Sequence, residues 1–325
     1  MKKLKIGIMG CASIAERLVI PSILELSNYF ELVAVSSRSI DRATTFAKKF
    51  NIKPILGYQQ LIDDKDIDVI YMPLPTGLHE EWVMKTINAN KHILVEKSFA
   101  INESSSAKMV KKAKNSNILL MENFMFLHHS QQKFVSDILD NNTLGKIRLI
   151  RSQFGFPPLN DNNFRYNNLL GGGSLLDAAS YTIRASQWLS KINLEVQCAN
   201  LFIDKKLNID IYGNATLINK NGLTAQISFG FDNSYQCNYE IWGSKGKLFL
   251  HRAFTPKPNE STKITIEKDG KTNLIELPCD NHFKNILIEF YKSVIVGKFD
   301  KHYDDILIQS YLISQVKSLA KIYYI

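Results

Sequence analysis

An N-terminal α/β domain built on a parallel sheet, followed by an α+β domain with an open, largely antiparallel sheet, is the fold class the sequence predicts. Three observations carry it. The chain has 325 residues, long for one hydrophobic core, so two domains are expected. Its first 120 or so residues alternate short apolar runs with amphipathic segments. After about residue 125 the texture changes to strands separated by turn residues.

The apolar runs of the first part are Leu4–Met9, Leu32–Val35, Val69–Met72, His92–Val95 and Ile118–Met121. Helical patterns lie between them near 13–26, 39–50, 77–89 and 103–116. Strict alternation of strand and helix implies a parallel sheet covered on both faces. The stretch Thr76-Gly77-Leu78-His79-Glu80-Glu81 reads as a helix start, with Thr76 as cap and acids in the first turn. In the second part a helix near 127–140 leads through Asn141, Asn142 and Gly145 into a strand at 146–154. An irregular polar segment at 157–172 precedes a helix at about 174–189, and 195–276 reads as strands with turns at Asn219-Lys220-Asn221-Gly222 and Gly243-Ser244-Lys245-Gly246. Two helices near 282–296 and 304–321 close the chain. The domain boundaries are set at 1–124 and 125–325, with the last helices able to pack back on the first domain.

Composition narrows the class further. The chain is 45% hydrophobic and 22% charged, ordinary for a globular enzyme. No apolar run approaches the roughly 18–20 residues that cross a bilayer, and the start Met1-Lys2-Lys3-Leu4 leads into a first strand, so no membrane association and a cytoplasmic location are expected. The four cysteines at 11, 198, 237 and 279 are too scattered for a zinc or redox pair and are expected as reduced, mostly buried thiols. The net charge of +9 comes from lysines spread along the chain, which suits an anionic small molecule better than nucleic acid.

The first strand runs into Gly10-Cys11-Ala12-Ser13-Ile14-Ala15 and then a helix. This is the place of the G-x-G-x-x-G fingerprint of a Rossmann domain, with Ala at its second and third glycine positions. Such a turn rests a dinucleotide diphosphate on backbone N–H groups at the positive end of the helix. The end of the second strand selects the cofactor. It reads Val35-Ser36-Ser37-Arg38-Ser39, without the acid that binds the ribose of NAD, and Ser37 and Arg38 suit the 2′-phosphate of NADP(H).

The segment His92-Ile93-Leu94-Val95-Glu96-Lys97-Ser98 resembles the "GKHVLxEKP" signature of the glucose–fructose oxidoreductase/inositol dehydrogenase family. The agreement extends to Pro75…His79 before it and to Gly171-Gly172-Gly173-Ser174-Leu175-Leu176-Asp177 after it, in order and over nearly the whole chain. Within that family, Gly10–Ala15 with Pro21, Phe126-Leu127-His128-His129, Phe154–Leu159, Phe164-Arg165-Tyr166 and Ala253-Phe254-Thr255-Pro256 are similar to segments of the NDP-hexose 3-ketoreductases that make deoxysugars. Two departures lie beside the site: Ser98 replaces the usual Pro, and Leu176-Asp177-Ala178-Ala179-Ser180-Tyr181-Thr182 stands for "LDxGxYP".

The resemblance implies an NADPH-dependent oxidoreductase that reduces a keto group on a sugar, nucleotide-linked in the closest subgroup. It implies Lys97 on the carbonyl oxygen and Tyr181 as proton donor. Asp177, four residues before Tyr181 on one helix face, acts with it. Leu74, Pro75, Glu96, Lys97 and Arg165 are then expected at the cofactor, with Tyr166, Asp177, Lys97 and Tyr181 at the substrate. His79 reads as a structural or cofactor-wall residue, His128 and His129 lack a ligand constellation, and no metal is expected. A homodimer or homotetramer through the open sheet is expected. Two other readings remain open at this level: a dehydrogenase of a free sugar, inositol or dihydrodiol, and a non-enzymatic NADP-binding regulator on the same fold.

Overall fold

The structure, a computed structural model, describes residues 2–325. The chain divides into two compact units, one holding the chain up to Asn123 together with Phe283–Leu307, the other Phe124–His282 together with Ile308–Ile325.

In the first unit β1 (Leu4–Met9), β2 (Phe30–Ser37), β3 (Lys53–Leu56), β4 (Val69–Met72), β5 (His92–Glu96) and β6 (Leu120–Asn123) pair in the order β3-β2-β1-β4-β5-β6, all parallel. Every residue of the central strand β4 is buried, which explains its unbroken apolar run. The helices are α1 (Ile20–Glu25), α2 (Ile40–Lys48), α3 (Tyr58–Asp63), α4 (His79–Asn88) and α5 (Glu103–Ser116). Strand order reverses at β1 and β4, and in such sheets ligands bind outside the carboxyl ends at that point. The short pair β3 and α3 escaped the sequence reading, because a four-residue edge strand carrying Lys53 and Pro54 has no apolar run to announce it. Thr76 is not a cap: it opens a 3₁₀ turn, Thr76–Leu78, and α4 begins at His79 without a side-chain cap.

The second unit contains α6 (Ser130–Asp140), β7 (Ile147–Gly155) and a π-helical turn, Leu175–Ala179, running into α7 (Ser180–Ser190). Seven strands follow: β8 (Leu194–Asp204), β9 (Ile209–Asn219), β10 (Thr224–Gly230), β11 (Gln236–Gly243), β12 (Gly246–Leu250), β13 (Thr262–Lys268) and β14 (Lys271–Leu277). From Phe283 to Leu307 the chain belongs to the first unit, through α8 (His282–Val296) and the first part of α9 (Asp300–Leu319); the rest of α9 leads to β15 (Ala320–Tyr324) in the second. The sheet order is β14-β13-β12-β11-β7-β10-β9-β8-β15, antiparallel except at β7/β10 and β8/β15. Along β9, Ile209, Ile211, Gly213, Ala215 and Leu217 are buried and alternate with half-buried or exposed residues, so one face packs and the other stays open. The closing helix expected to reach 321 stops at Leu319, and β15 takes its place, pairing Tyr323 with Phe202 in stacked contact at 4.9 Å.

No helix among the described residues is long and apolar enough to cross a membrane, and no cluster of three His, Cys, Asp or Glu side chains forms a metal site among them. All four cysteines are free thiols. Cys198, on the open sheet face, and Cys279, after β14, are exposed, contrary to the expectation of mostly buried thiols.

The second unit also carries a buried histidine pair, His129 and His282, with ring centroids 5.6 Å apart. Burial, with His129 and His128 nearby, holds His282 down to about 3 against the opposing charge of Asp280, and His129 is lowered as well. The sign follows from linkage. The unfolded histidine takes up a proton below its ordinary value near 6.5, the folded one does not until about 3, so stability present above 6.5 is lost as pH falls between them. At pH 5 the loss from His282 alone is about 2 kcal/mol. Thermal melts at pH 7.5 and 5 are expected to show a drop that His282→Gln reduces. An unchanged pH dependence in that variant would contradict the assignment.

Candidate active site

The first unit builds its part of the site from strand ends. Gly10 closes β1 with φ +112, a conformation L side chains rarely adopt, and its N–H donates to Ser36 O at 3.0 Å. A Cβ there would stand 3.0 Å from Leu74 Cδ2. Glu16 N donates to Ala12 O at 3.1 Å, so the helical run that passes through a π-helical turn, Ala15–Val19, into α1 opens at Ala12, and the amides of Ala12, Ser13 and Ile14 occupy its first turn, where N–H groups point beyond the helix end. This is the cradle a dinucleotide diphosphate fits.

At the end of β2, Ser37 is buried and its Oγ accepts from Ser39 N at 3.3 Å. Ser39 in turn caps α2 by accepting from Arg42 N at 3.4 Å, which places Arg42 in the first turn of that helix. Arg42 Nη2 donates to Cys11 O at 3.3 Å, tying the second strand's loop to the Gly10 turn. Tyr58 shares this corner: burial pushes its hydroxyl above the ordinary phenol range against the pull of Arg38 and Arg42. Burial likewise pushes the Cys11 thiol up, against Arg42 and Ser37. Arg42 and Tyr58 were not singled out in the sequence. The spacing Ser39-x-x-Arg42 was the available signal for Arg42, since a capping Ser turns the third residue after it back toward the cap.

The carboxyl end of β5 carries Glu96 and Lys97. Glu96 Oε1 accepts from Tyr71 OH at 2.7 Å and from Asn123 Nδ2, so side chains from β4 and β6 fix it from both sides. Burial pushes its carboxyl up, against those bonds and the charge of Lys97. Lys97 follows at the strand end, half-buried, and the Lys97–Ser98 peptide is cis. His79 is fully buried, with Nδ1 3.0 Å from Phe99 O and Nε2 2.8 Å from Leu74 O. It braces the Leu74-Pro75 loop against the segment after Lys97, the structural alternative of its sequence reading, and its ring has no exposed surface.

In the second unit Asp177 and Tyr181 stand on the π turn and on α7. Asp210, from β9, secures the start of that helix by accepting from Ser174 Oγ at 2.7 Å and Leu175 N at 2.5 Å. Burial pushes the Asp210 carboxyl up, against these bonds. Gly173, at φ +107, lets the chain pass: a Cβ there would lie 2.4 Å from Asp210 Oδ1. Nothing in the sequence marked Asp210, because its partners lie 35 and 36 residues away. Asp177 Oδ2 accepts from Arg165 Nε at 2.7 Å, joining the irregular segment to the helix. Tyr166 turns its hydroxyl to Leu159 N at 2.8 Å and its ring edge to Phe231, so it folds that segment on itself. The Tyr181 ring, 6% exposed, packs against Phe124, Phe126, Phe154 and Phe254 with centroids 5.0–6.0 Å away.

Comparison with known proteins agrees with both halves. Residues 4–124 match the model of the oxidoreductase family with an NAD-binding Rossmann fold, and residues 133–249 match the GFO/IDH/MocA C-terminal domain. The chain is 37% identical over 296 residues to a dTDP-3,4-didehydro-2,6-dideoxy-alpha-D-glucose 3-reductase of Saccharopolyspora spinosa, covering 91% of this chain and 89% of that protein. It is 36% identical over 322 residues to the enzyme of the same name from Actinomadura kijaniata, covering 99% and 97%. Among solved structures, KijD10, a 3-ketoreductase from Actinomadura kijaniata in complex with NADP and TDP-benzene, superimposes with a TM-score of 0.96 at 35% identity over the whole of both chains. A dinucleotide cradle, a Glu-Lys strand end and a second sheet domain, matched at this identity over this length, make the chain a member of the Gfo/Idh/MocA oxidoreductase family.

Proposed function

We propose that this oxidoreductase uses NADPH to reduce a keto group of a nucleotide-linked sugar. The observation that carries the reading is the carboxyl end of β5, where Glu96, held by Tyr71 and Asn123, directly precedes Lys97. A regulator that only sensed NADP would have no use for a cation held at this strand end. The relatives described above, matched over nearly their full length, act on a nucleotide-linked deoxyhexose, which favours that substrate class over a free sugar or inositol.

NADPH supplies the hydride when bound; the chain's own residues do the rest. The Gly10 turn and the first-turn amides hold the diphosphate, while Ser37, Arg38 and Arg42 take the 2′-phosphate. Lys97 donates a hydrogen bond to the carbonyl oxygen and stabilises the negative charge that develops there. Tyr181 gives that oxygen its proton. Asp177, held by Arg165, orients the substrate hydroxyls. The enzyme works in the cytoplasm as a homodimer or homotetramer joined through the open face of the second sheet.

Cofactor choice tests the reading at its first step. Charge-assisted hydrogen bonds contribute about 1.5–3 kcal/mol each, so Arg38→Ala and Arg42→Ala are each expected to weaken NADPH binding roughly tenfold or more. NADH binding, followed by the same fluorescence titration, is expected to stay unchanged. Tighter binding of NADH by the native enzyme, or full NADPH affinity in both variants, would overturn the 2′-phosphate assignment.

A further inference from the structure

The helix that carries Asp177 and Tyr181 is not a plain α-helix, and the reduction chemistry does not account for that. It begins at Ser174, widens into the π-helical turn Leu175–Ala179 and only then becomes α7. An α-helical loop closes between residues four apart and a π-helical one between residues five apart, so this turn takes up one residue more than an α-turn would. At 3.6 residues per turn, one residue is about 100° of rotation. Tightening the turn to α would therefore swing Tyr181 about 100° around the helix axis relative to the residues before it. Single π turns inside α-helices are rare, so side chains from outside the local backbone are needed to hold this one.

Such side chains grip it from both ends. Before the turn, Asp210 of β9 accepts from Ser174 Oγ and Leu175 N and fixes where the helix starts. Gly173 N donates to Arg165 O at 2.9 Å while Arg165 Nε reaches forward to Asp177, so the irregular segment holds the same start. Within and after the turn, side chains take three backbone carbonyls. Ser180 Oγ donates to Asp177 O and Thr182 Oγ1 to Ala179 O, each at 3.0 Å, and Gln309 Nε2, from α9, donates to Ser180 O at 2.9 Å. Ser180, Thr182 and Gln309 are all buried, where a hydrogen bond is electrostatically stronger than in water. Ser180 and Thr182 also lie in the stretch that departs from "LDxGxYP". Beyond the turn the Tyr181 ring is seated among Phe124, Phe126, Phe154 and Phe254. The chain between the Asp210 anchor and that aromatic seat has the residue count of a π turn, one more than an α-turn takes.

We propose that the π turn is a positioning device for the proton donor, and that Gln309 and Thr182 are positioning residues that hold its register. This rests on the reading of Tyr181 as proton donor given above and deepens it. Both residues are bonded to the backbone of the helix and act through the direction of the Tyr181 hydroxyl relative to Asp177.

The test is a pair of double-mutant cycles, measured at saturating NADPH with a nucleotide-linked keto-sugar and well below each variant's melting temperature. Gln309→Met and Thr182→Val keep the shape of the side chain and remove the group that donates to the helix. Each is expected to lower kcat about tenfold, with KM and NADPH affinity nearly unchanged, because a donor misplaced by an ångström loses much of its effect. In Tyr181→Phe there is no hydroxyl left to aim, and the same substitutions are expected to change kcat by less than about twofold. A merely structural role would lower kcat about tenfold in both backgrounds, and that additivity would overturn the proposal. Native kcat in both Gln309→Met and Thr182→Val would overturn it as well, leaving the donor reading intact. Native kcat in Tyr181→Phe alone would overturn the donor reading and the positioning device with it. A crystal structure of Gln309→Met supplies a readout independent of turnover: the turn is expected to tighten or Tyr181 to change direction, and an unchanged π turn with Tyr181 in place would contradict the assignment.

Discussion

Replacing Lys97 with Met is expected to lower kcat about a hundred- to a thousandfold while NADPH affinity changes by less than about twofold. The substitution keeps an unbranched side chain of similar length and removes only the charge and its donors. Lys97 sits at the strand end next to Glu96, whose carboxylate is bonded to Tyr71 and Asn123, so the backbone that presents the lysine does not depend on the lysine itself. The cost therefore falls on the developing alkoxide, in kcat more than in KM. Single-turnover measurement at saturating NADPH separates the two. Nearly normal turnover in Lys97→Met would remove the electrostatic core of the mechanism and return the non-enzymatic regulator to consideration.

Tyr181→Phe is expected to lower kcat roughly a hundredfold, with little change in KM or melting temperature. The ring is wedged among Phe124, Phe126, Phe154 and Phe254, so removing it altogether would open a cavity costing about 3–5 kcal/mol and confuse chemistry with stability. Phenylalanine fills the same space and deletes the hydroxyl alone. The pH profile of kcat gives a second readout that packing does not move. A Tyr181→Phe enzyme with native kcat would make the tyrosine a positioning residue and pass the proton to Lys97 or water.

How much of this was legible in the sequence depended on where the physical cause lay. The parallel sheet could be read because strands buried on both faces must be apolar throughout, as β4 is. The cofactor turn could be read because Gly10 adopts a backbone conformation that only glycine adopts readily, and the turns at Gly222 and near Gly243 for their local turn residues. What escaped was set by partners distant in sequence. Asp210 is one polar residue in an alternating strand, and only the fold brings it to Ser174 and Leu175. His282 was not singled out in the sequence, since only the fold buries it against His129. The edge strand β15 continues a helical pattern in sequence and becomes a strand because β8 offers it a free edge. Tyr166 was expected at the substrate from its matched segment and His79 as a structural or cofactor-wall residue; each directs its polar atoms at backbone groups.

The most direct test of the central claim is transfer of deuterium from NADPH labelled at the nicotinamide C4 to a nucleotide-linked keto-sugar, followed by NMR of the product. The expected result is one deuterium at the carbon that bore the carbonyl, with one NADP+ formed per sugar reduced and the transfer lost in step with turnover in Lys97→Met. Absence of label from every nucleotide-linked keto-sugar, alongside steady oxidation of a free sugar, inositol or dihydrodiol by NADP+, would contradict it.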